Sequence, residues 1–580
     1  MLNLYPRPQL ERNDWMNLNG EWNFSFDDNR KGETEKWYID FPENQKIIVP
    51  YTYETALSGI RDESRHDVIW YNRKVSLKKD LNNRCLLNFE GVDYETRVWV
   101  NGNFAGTHKG AYAAFTFDIT EFLCDGENDI TVRVEDSMSC EQPRGKQRWK
   151  NENFGCWYVQ TTGIWKSVWI ECVPNCYVEK VKMTPDIDKG EIHILAKVAG
   201  RLQEVLTELQ CVVTLDGKLI RRTTAQVVEE YVSIVIKLAS EDEPWAVAIW
   251  SPGSPRLYDI EFNILEENIK KDTVKSYFGM RKISIQGNQV LLNNLPVYQK
   301  LILDQGYWEE SHLTPPSEEA IIKDIDLILE AGYNGLRKHQ KVEDSRFLYW
   351  CDKKGVLVWS EMASQYSFND NGMRLFTNEW MEIVEQNYNH PSIITWTPFN
   401  ESWGIERIFT DMGQQKFTES IYHLTKAFDS MRPVIVNDGW EHTVSDIITL
   451  HDYVERGEEF LQRYTNKEAI LKNQVPFNLS RNAFAEGYEY KGQPVIISEY
   501  GGIAITNDNG WGYGEQVKSE EAFLERFDSI TSAIKELDYI CGYCYTQLTD
   551  VQQEINGLYN MKREAKVNIE AVKRINDKKL

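Results

Sequence analysis

The chain has 580 residues, which at about 100 to 200 residues per domain predicts several structural units and excludes a single small binding module. Its hydrophobic content of 42% and charged content of 27% supply several apolar cores and argue against wholesale disorder. Lys and Arg number 65 against 89 Asp and Glu, and the resulting net charge of -24 excludes the basic footprint expected of a nucleic-acid-binding protein.

The expected compartment is the cytoplasm. No run approaches the roughly 18 consecutive apolar residues of a membrane span, and the first residues lack a basic region followed by an apolar stretch. Ten cysteines in a chain of this length are too sparse for a disulfide scaffold, which favours a reducing compartment. The sequence therefore predicts a globular protein with neither a membrane nor a nucleic acid as its partner.

Short alternating runs of apolar and polar residues dominate the first 173 residues, as in NLNGEWNFSF, TRVWVNG and DITVRVED. Such runs, separated by Gly, Asn and Asp turns, are typical of an antiparallel sandwich. Asn101-Gly102 predicts a type I′ hairpin, because both central positions of that turn need positive φ. Residues 174–281 continue the pattern in EIHILAKV and VSIVIKL, which predicts a second, smaller sandwich.

From residue 282 onwards, short apolar strands alternate with helical stretches, a pattern typical of βα units around a parallel sheet. One predicted helix begins after Ser317 as its N-cap and ends at Gly332. A closed (β/α)8 barrel accommodates the candidate strands VYQKLIL, NGLRKH, GVLVWSEM, IITWTPFNE, PVIVNDG, DIITLHDY, PVIISEYGG and ICGYCYTQLTD. In such a barrel the chemistry lies at the carboxyl ends of the strands.

Ionisable or polar side chains end several of these strands, namely Asp304, His339, Glu361, Asn400, Glu401, Asp438, Tyr453, Glu499 and Asp550. A Glu at a strand end is more often a salt-bridge partner than a catalyst. A barrel nevertheless brings Glu401, at the end of the fourth strand, and Glu499, at the end of the seventh, to one mouth. Two carboxylates across such a mouth are the apparatus of glycosidic bond cleavage.

That chemistry needs one protonated carboxyl group and one ionised carboxylate at neutral pH. The aromatic neighbours of Glu401, including Trp396 and Trp403, favour a raised pKa and an acid/base role. Glu499 is then the nucleophile, with Tyr453 and Tyr500 as expected hydrogen-bond donors to its ionised form.

Two of these segments carry a family resemblance. NHPSIITWTPFNESWG and PVIISEYGG resemble the acid/base and nucleophile segments of family 2 glycoside hydrolases, the group of bacterial β-galactosidases, β-glucuronidases and β-mannosidases. NLNGEWNF, GVDYETRVWVNG and TTGIWKSVWIE are similar to that family's N-terminal jelly roll, and LPVYQKLILDQGYW to its first barrel strand. The resemblance implies a jelly roll over residues 1–173, an immunoglobulin-like sandwich over 174–281 and a catalytic barrel over 282–580, without extra C-terminal domains.

The likeness also implies roles for individual residues. Glu401 would be the acid/base and Glu499 the nucleophile of a retaining mechanism through a covalent glycosyl-enzyme. Asn400 would hydrogen-bond the 2-hydroxyl of the sugar, Tyr453 would pair with the nucleophile, and Arg337 would lie beneath it as a buried cation. The other expected substrate-binding residues are Asp304, His339, Trp157, Tyr545 and Gln547. No cofactor and no metal are expected.

Departures from the family pattern bear on the identity of the sugar. Trp157 stands where β-galactosidases and β-glucuronidases carry a sugar-contacting Asp. A His follows Arg337 after two residues, at His339, where those enzymes have it after three. At the eighth strand, Tyr545 and Gln547 stand where relatives usually have Trp as a platform for the sugar ring.

The family motif that binds a sugar carboxylate through a cationic side chain is also altered in this chain. Glucuronidases carry Asn-x-Lys where this chain has Glu554-Ile555-Asn556, and the later Asn560-Met561-Lys562 is out of register. Lys338 or Arg337 could still supply a cationic clamp for this carboxylate, so an acidic sugar is disfavoured without being excluded.

The favoured function is that of a retaining exo-β-glycosidase that releases a terminal sugar, with β-galactose preferred, from an oligosaccharide or glycoconjugate. A β-hexuronidase with the same mechanism is the close alternative. A carbohydrate-binding protein without turnover is the alternative from another class. A homo-oligomer is compatible with the resemblance, because jelly-roll loops can complete a neighbour's pocket.

Two further features of the sequence are a histidine near the end of the sixth strand and a pair of cysteines in the eighth. His451, near the end of the sixth strand, either faces the pocket or packs in the core. Cys541 and Cys544 have the spacing of a metal or redox pair, but on a strand they point to opposite faces and are interpreted as core thiols.

Overall fold

The computed structural model describes residues 4–42, 45–80, 82–239, 246–478, 480–506 and 510–579. Within these ranges two antiparallel β-sandwiches precede a parallel β/α barrel, which confirms the predicted fold class. None of the helices in the described ranges has the length and apolar character needed to cross a bilayer.

The first sandwich is the jelly roll, built from a six-stranded and a four-stranded sheet. In order of pairing, the larger sheet contains Gln45–Val49, Gly20–Phe26, Val68–Leu77, Gly126–Glu135, Glu95–Val100 and Asn103–Lys109. The smaller contains Trp15–Asn17, Val168–Pro174, Asn83–Phe89 and Phe115–Asp118. Alternate side chains of both sheets meet in one apolar core. Asn101 and Gly102 have φ values of 50° and 76°, as the hairpin prediction requires.

The second sandwich has a three-stranded and a four-stranded sheet. The first contains Tyr177–Asp186, Glu191–Ala199 and Tyr231–Lys237, and the second contains Lys218–Gln226, Thr207–Leu215, Tyr258–Glu266 and Ile269–Phe278. Arg12 joins the two sandwiches, because its guanidinium donates to Glu171 of the first at 3.3 Å and to Asp272 of the second at 3.0 Å. All three side chains are buried, so this contact fixes the orientation of one sandwich against the other.

The barrel strands β1 to β8 are, in chain order, Gln299–Asp304, Gly335–Lys338, Leu357–Glu361, Ile393–Thr397, Asn437–Asp438, Ile448–His451, Val495–Gly501 and Ile540–Thr546. Seven of them form one parallel sheet in the order β4-β3-β2-β1-β8-β7-β6. β5 closes the ring, because it pairs with Phe399–Asn400 after β4 and contacts β6. The helices α1 to α8 are Glu318–Glu330, Ser345–Lys354, Asp370–Asn387, Met412–Phe428, Gly457–Tyr464, Lys467–Leu471, Glu520–Glu536 and Ile569–Asp577.

The interior of the barrel is packed with apolar side chains up to the level of the mouth. Leu301, Trp359 and Ile496, from three different strands, belong to one buried cluster there. Val290 joins them from a small antiparallel sheet, made of Ile283–Gln286, Gln289–Leu292 and Leu295–Pro296, that precedes β1. Polar chemistry is therefore restricted to the carboxyl ends of the strands.

A long jelly-roll loop, residues 136–162, lies against the mouth of the barrel. The backbone N–H groups of Arg144 and Gly145 both donate to the carbonyl oxygen of Ser364, at 2.9 and 3.0 Å. Tyr366 donates its hydroxyl proton to the carbonyl oxygen of Gly145 at 2.6 Å. The first domain therefore contributes directly to the wall of the barrel mouth.

We expect Gly145→Ala to lower the thermal midpoint more than Gly59→Ala. Both glycines have positive φ, +58° and +86°, which costs an alanine about 1 to 2 kcal/mol. A Cβ at Gly145 would also lie 2.3 Å from the carbonyl oxygen of Gln340, whereas nothing lies within 4 Å of one at Gly59. This overlap adds about 1 to 3 kcal/mol. Calorimetry and limited proteolysis of the loop measure the difference, and equal losses in both variants would contradict it.

Candidate active site

Two glutamates from different strands meet at the carboxyl ends of the barrel. Glu401 follows the continuation of β4, and Glu499 lies in β7. One carboxylate oxygen of each, together with Nδ1 of His451, lies within 4.8 Å of the other two atoms. The Glu499 side chain is only 4% exposed and that of Glu401 is 16% exposed, so Glu401 is on the solvent side of the pair.

The backbone around Glu401 is held in an unusual conformation. Glu401 and Ser402 have φ values of 51° and 60°, in the left-handed region that costs a residue with a Cβ free energy. β5 compensates, because the carbonyl oxygen of Asp438 accepts from Glu401 N at 2.9 Å and Oδ1 of Asn437 accepts from Ser402 N at 3.0 Å. These bonds aim the Glu401 side chain at the barrel axis rather than along the strand.

Arg337, from β2, is shared by three carboxylates. Its Nε donates to Glu361 at 2.8 Å, Nη1 lies 2.6 Å from Asp438, and Nη2 donates to Oε1 of Glu499 at 2.5 Å. Every one of these side chains is at most 4% exposed. A single guanidinium therefore sets the positions of acidic groups from β3, β5 and β7.

Glu499 has hydrogen-bond partners on both carboxylate oxygens. Arg337 occupies Oε1, and the Tyr453 hydroxyl donates to Oε2. The Tyr453 ring is itself stacked on Tyr513, with centroids 3.4 Å apart. Burial alone would raise the pKa of Glu499, but the positive charges of His451 and Arg337 outweigh it and hold that pKa well below its usual range. Glu499 is consequently ionised at neutral pH.

His451 faces the mouth and lies between the acids. Its Nδ1 is 2.8 Å from Oε1 of Glu401 and 3.5 Å from Oε2 of Glu499, and its Nε2 is 3.1 Å from Asp438. Burial lowers the pKa of this histidine, but the negative charges of Glu499 and Asp438 outweigh burial and raise the pKa to about 10. The pKa is raised although the Arg337 guanidinium lies 3.4 Å from Nε2. The ring is therefore a cation at neutral pH and donates from both nitrogens.

The pKa of Glu401 moves in the opposite direction from that of Glu499. Burial raises it, the hydrogen bond from His451 opposes that effect, and the negative charge of Glu499 raises it again. The pKa values of the two acids are therefore shifted in opposite directions although the acids share one pocket. Such a pair can supply an acid and a base to the same substrate.

Asn400 and His339 present polar groups beside the acids. Arg337 donates to Oδ1 of Asn400 at 3.2 Å, whereas the Asn400 Nδ2 amide, though buried, has no hydrogen-bond partner in the described part of the chain. Nδ1 of His339 lies 2.6 Å from Nη2 of Arg337 and 3.0 Å from Oε1 of Glu361. Burial, and then the charges of Lys146 and Arg337, lower the pKa of His339 well below its usual value, so this ring is neutral.

A second polar cluster, centred on Glu554, was not anticipated as a unit. Lys146, from the jelly-roll loop, lies 3.4 Å from Glu554, and the Tyr158 hydroxyl donates to the same carboxylate. Burial lowers the pKa of Lys146, but the negative charges around it, that of Glu554 above all, outweigh burial and raise the pKa. Only the replacement of Asn-x-Lys at Glu554 hinted at this cluster; nothing local in the sequence pointed to Lys146.

Gln547 belongs to the same cluster. It accepts from Nε2 of Gln305 at 2.7 Å and donates to Oδ1 of Asn556 at 2.7 Å. Gln305 Nε2 also lies 3.3 Å from Glu554. These side chains form one buried hydrogen-bonded network that joins the end of β1 to the loop after β8.

Three expectations about the site are wrong, all because strand residues alternate between the two faces of the barrel wall. Tyr545 points outward and packs on Phe527 at 5.0 Å and Tyr500 at 5.5 Å, beneath α7, so it is not a platform for a sugar. Tyr500 also points outward, where its hydroxyl pairs with Thr531 at 2.8 Å, and it cannot donate to Glu499. Thr546, next to Tyr545, faces inward and lies 3.2 Å from the Tyr453 hydroxyl.

Asp304 is the third. It lies in a buried ion cluster outside the barrel wall. The Lys338 ammonium in this cluster is 2.5 Å from the Asp304 carboxylate and 2.9 Å from the Glu343 carboxylate. Lys338 additionally stands over the Phe347 ring at 3.9 Å. Neither Asp304 nor Lys338 reaches the mouth, so Lys338 is excluded as a clamp for a sugar carboxylate.

Trp157 remains at the mouth, in a group of half-buried aromatic rings. Its ring centroid is 5.7 Å from that of Trp403, which in turn is 6.1 Å from the His339 ring. The structure therefore brings Trp157, His339, Asn400, Glu401, Tyr453, Glu499, Arg337 and Gln547 to one end of the barrel.

Comparison with known protein families agrees with this architecture. The sugar binding domain of glycosyl hydrolases family 2 matches residues 15–174, the family's middle domain matches 176–281, and its TIM barrel domain matches 283–576. The chain belongs to glycoside hydrolase family 2. The family identified from the sequence is thereby confirmed.

Relatives in this family carry different names. A β-glucuronidase of Streptococcus agalactiae is 22% identical over 98% of this chain and 97% of its own length. A β-galactosidase of Thermoanaerobacter pseudethanolicus is 25% identical over 79% of this chain and 59% of its own length. The chain spans 43 to 59% of the length of the first curated relatives that it matches.

Solved structures show the same fold at low identity. A β-glucuronidase of Ruminococcus gnavus in complex with uronic deoxynojirimycin has a TM-score of 0.80 at 17% identity, with 98% of this chain and 99% of that chain covered. A β-galacturonidase of Eisenbergiella tayi bound to glycerol has a TM-score of 0.77 at 20% identity, with 99% and 98% covered.

We expect His451→Asn to destabilise the protein in a pH-dependent way. A histidine whose pKa is higher in the folded than in the unfolded protein stabilises the folded state. This contribution is complete at pH values below the unfolded-state pKa of about 6.5, and it is lost as pH rises through the folded-state pKa of about 10. The deficit of the variant is therefore largest near pH 6, on the order of 3 kcal/mol, and shrinks towards pH 10. Thermal midpoints across this range measure it.

His442→Asn is the matched control. His442 is also buried, but desolvation lowers its pKa to about 4, so wild-type His442 costs stability as pH falls below about 6.5. The deficit of His442→Asn should accordingly shrink on acidification, opposite in sign to that of His451→Asn. Parallel pH dependences for the two variants would contradict the charge assigned to His451.

Proposed function

We propose that the protein is a retaining exo-β-glycosidase that releases a terminal sugar, with Glu499 as nucleophile and Glu401 as acid/base. The observation that carries this proposal is a pair of carboxyl groups with one oxygen of each within 4.8 Å of the other, whose pKa values are shifted in opposite directions. Retaining enzymes hold their carboxyl groups about 5 to 5.5 Å apart, whereas inverting enzymes need about 6.5 to 9.5 Å to admit a water molecule.

In the first step, ionised Glu499 attacks the anomeric carbon while the bond from that carbon to the leaving oxygen breaks. Glu401 gives its proton to that oxygen, and a glycosyl ester on Glu499 results. In the second step, Glu401 takes a proton from water, whose oxygen attacks the same carbon and displaces Glu499. Two inversions retain the configuration.

The surrounding charges suit both steps. Arg337 and Tyr453 hold Glu499 by its two oxygens and orient it for attack. Once Glu401 has lost its proton, the Nδ1–H of His451, 2.8 Å away, stabilises the new carboxylate. The free Nδ2–H of Asn400 is available for a sugar hydroxyl beside the anomeric carbon.

We favour an uncharged sugar, with β-galactose preferred. Glu554 stands where glucuronidases have Asn-x-Lys, and it forms a neutral pair with Lys146. Arg337 is already shared by three carboxylates. Since a buried sugar carboxylate would need a free cation, these pairings favour a hydroxyl-rich neutral substrate.

A β-hexuronidase is the second candidate. Lys146 is a buried cation at the barrel mouth, and its ammonium lies 3.4 Å from Glu554. A substrate that displaced Glu554 could use this ammonium as its counter-ion. The chain is also similar to the β-glucuronidase of Streptococcus agalactiae and the β-galacturonidase of Eisenbergiella tayi.

We expect Glu499→Ala to abolish hydrolysis of aryl β-glycosides without unfolding the protein. Azide should restore turnover of activated substrates and give the glycosyl azide of inverted configuration, because it attacks from the side that the carboxylate has vacated. Product configuration is read by NMR. Undiminished hydrolysis in the variant, or a restored product of retained configuration, would refute the nucleophile role.

Glu401→Gln is the matched variant for the acid/base. It should slow substrates with poor leaving groups far more than those with good ones, because only the former need a proton at departure. An equal loss across leaving groups would count against the role of Glu401. The two variants together also address a binding protein without turnover, in which neither substitution would change any rate.

A panel of aryl β-glycosides identifies the sugar. We expect the highest kcat/KM for the galactoside and at least about tenfold less for the glucuronide and galacturonide, since the two cations considered for their carboxylate, Arg337 and Lys146, are already paired with acidic side chains. Glu554→Gln, which frees Lys146, should narrow this difference. Hydrolysis of uronides alone would overturn the neutral-sugar preference, and hydrolysis of none would overturn the proposed activity.

A further inference from the structure

Five half-buried aromatic rings form a continuous surface at the barrel mouth. This aromatic wall consists of Trp149, Phe154, Trp157, Tyr366 and Trp403. Trp149 lies 4.3 Å from Tyr366, Phe154 is stacked on Trp157 at 5.0 Å, and Trp403 lies 5.7 Å from Trp157 and 5.9 Å from Tyr366. By contrast, core tryptophans elsewhere, such as those at 22, 70, 359, 380 and 396, are fully buried. The side chains of the wall are each partly exposed to solvent.

The wall is held rigidly from both domains. The carbonyl oxygen of Gly155 accepts from Trp511 Nε1 and from Gln553 Nε2, both at 3.0 Å, and Gln553 also donates to the carbonyl oxygen of Trp157 at 2.9 Å. On the other side, Tyr366 is tied to the jelly-roll loop through its hydroxyl. A surface that is already ordered loses little entropy when a ligand covers it.

The position of the wall relates it to Glu401. Trp403 follows Glu401 by two residues, and its ring approaches that of His339. The backbone N–H of Trp403 donates to the carbonyl oxygen of Asn400, the residue before Glu401, at 2.9 Å. Glu401 is also the more exposed acid of the pair. Since the leaving oxygen must lie against the proton donor, the group attached to that oxygen extends from Glu401 towards solvent, where the wall stands.

We propose that the aromatic wall is a leaving-group subsite for a group with a flat apolar face, either an aryl ring or the C–H face of a second pyranose. The proposal rests on the proposed function for the place of the leaving oxygen. Indole and phenyl faces offer area without hydrogen-bond demands, so they stack on such groups and discriminate poorly among their hydroxyl patterns. The subsite therefore accepts a class of leaving groups by shape.

Thioglycosides test the wall without turnover, because their glycosidic sulfur resists hydrolysis. The ligands are phenyl and methyl 1-thio-β-D-galactopyranoside and the corresponding thioglucuronides, titrated calorimetrically into the wild type. For at least one sugar, the phenyl ligand should bind about tenfold more tightly than the methyl ligand. Trp157→Leu should remove most of this preference and leave the methyl ligand within about twofold of its wild-type affinity, since leucine keeps bulk but not a flat face.

Two further variants control for structural damage. Trp157→Phe retains a ring and should restore most of the phenyl preference. Tyr38→Leu removes a half-buried ring that stacks on Trp99 at 5.1 Å in the jelly roll, and it should change neither affinity. Circular dichroism confirms that each variant is folded.

Kinetics then distinguishes the two kinds of leaving group. If the wall binds sugars, Trp157→Leu lowers kcat/KM for disaccharides. If it binds aryl groups, Trp157→Leu lowers kcat/KM for aryl glycosides. A decrease for both kinds of substrate indicates that the wall binds the flat face that they have in common. For a fluoroalkyl glycoside whose leaving group is about as acidic as that of the aryl glycosides, kcat/KM should be the same in Trp157→Leu as in the wild type.

Three results would overturn the subsite. They are equal affinity for phenyl and methyl ligands in the wild type, no binding of any phenyl ligand at millimolar concentration, and an equal loss of affinity for all ligands in Trp157→Leu. Failure of the proposed function is separate, because it appears as absent hydrolysis of every O-glycoside whatever the thioglycosides do.

Discussion

The active end of this barrel depends on one buried guanidinium. Arg337 contacts Glu361, Asp438 and Glu499, and its positive charge opposes the increase in pKa that burial causes in each of these three carboxyl groups. Its planar fork, with donors pointing in different directions, serves strands β3, β5 and β7 at once, which a point charge such as lysine could not do. The site is therefore part of what holds the upper barrel together.

That arrangement also explains why two glutamates a few ångströms apart behave differently. Glu499 has Arg337, Tyr453 and His451 as partners, whereas among the described residues the Glu401 carboxyl group has a hydrogen bond with His451 alone. The unequal distribution of donors lowers one pKa and leaves the other raised. His451 couples the two acids, because its Nδ1 lies near both.

The jelly roll is more than a neighbour of the barrel. Its loop brings Lys146 to Glu554 and places Trp149, Phe154 and Trp157 at the mouth. A sugar held beside the acids would thus meet groups from two domains, one set polar and one aromatic. Differences in this loop are a simple physical route by which one barrel can serve different substrates.

Much of this could be predicted from local patterns. Alternation with a period of two and turns such as Asn101-Gly102 specify the sandwiches, and strand ends in a βα pattern point to Glu401 and Glu499, because these signals are carried by adjacent residues. The family resemblance added Asn400, Tyr453 and Arg337. Their partners could not be foreseen, since Lys146 and Glu554 are over 400 residues apart and meet only when two domains pack. Tyr545 and Asp304 were misplaced for a related reason: the face to which a strand residue points depends on its register in the closed barrel, and a shift of one residue reverses it.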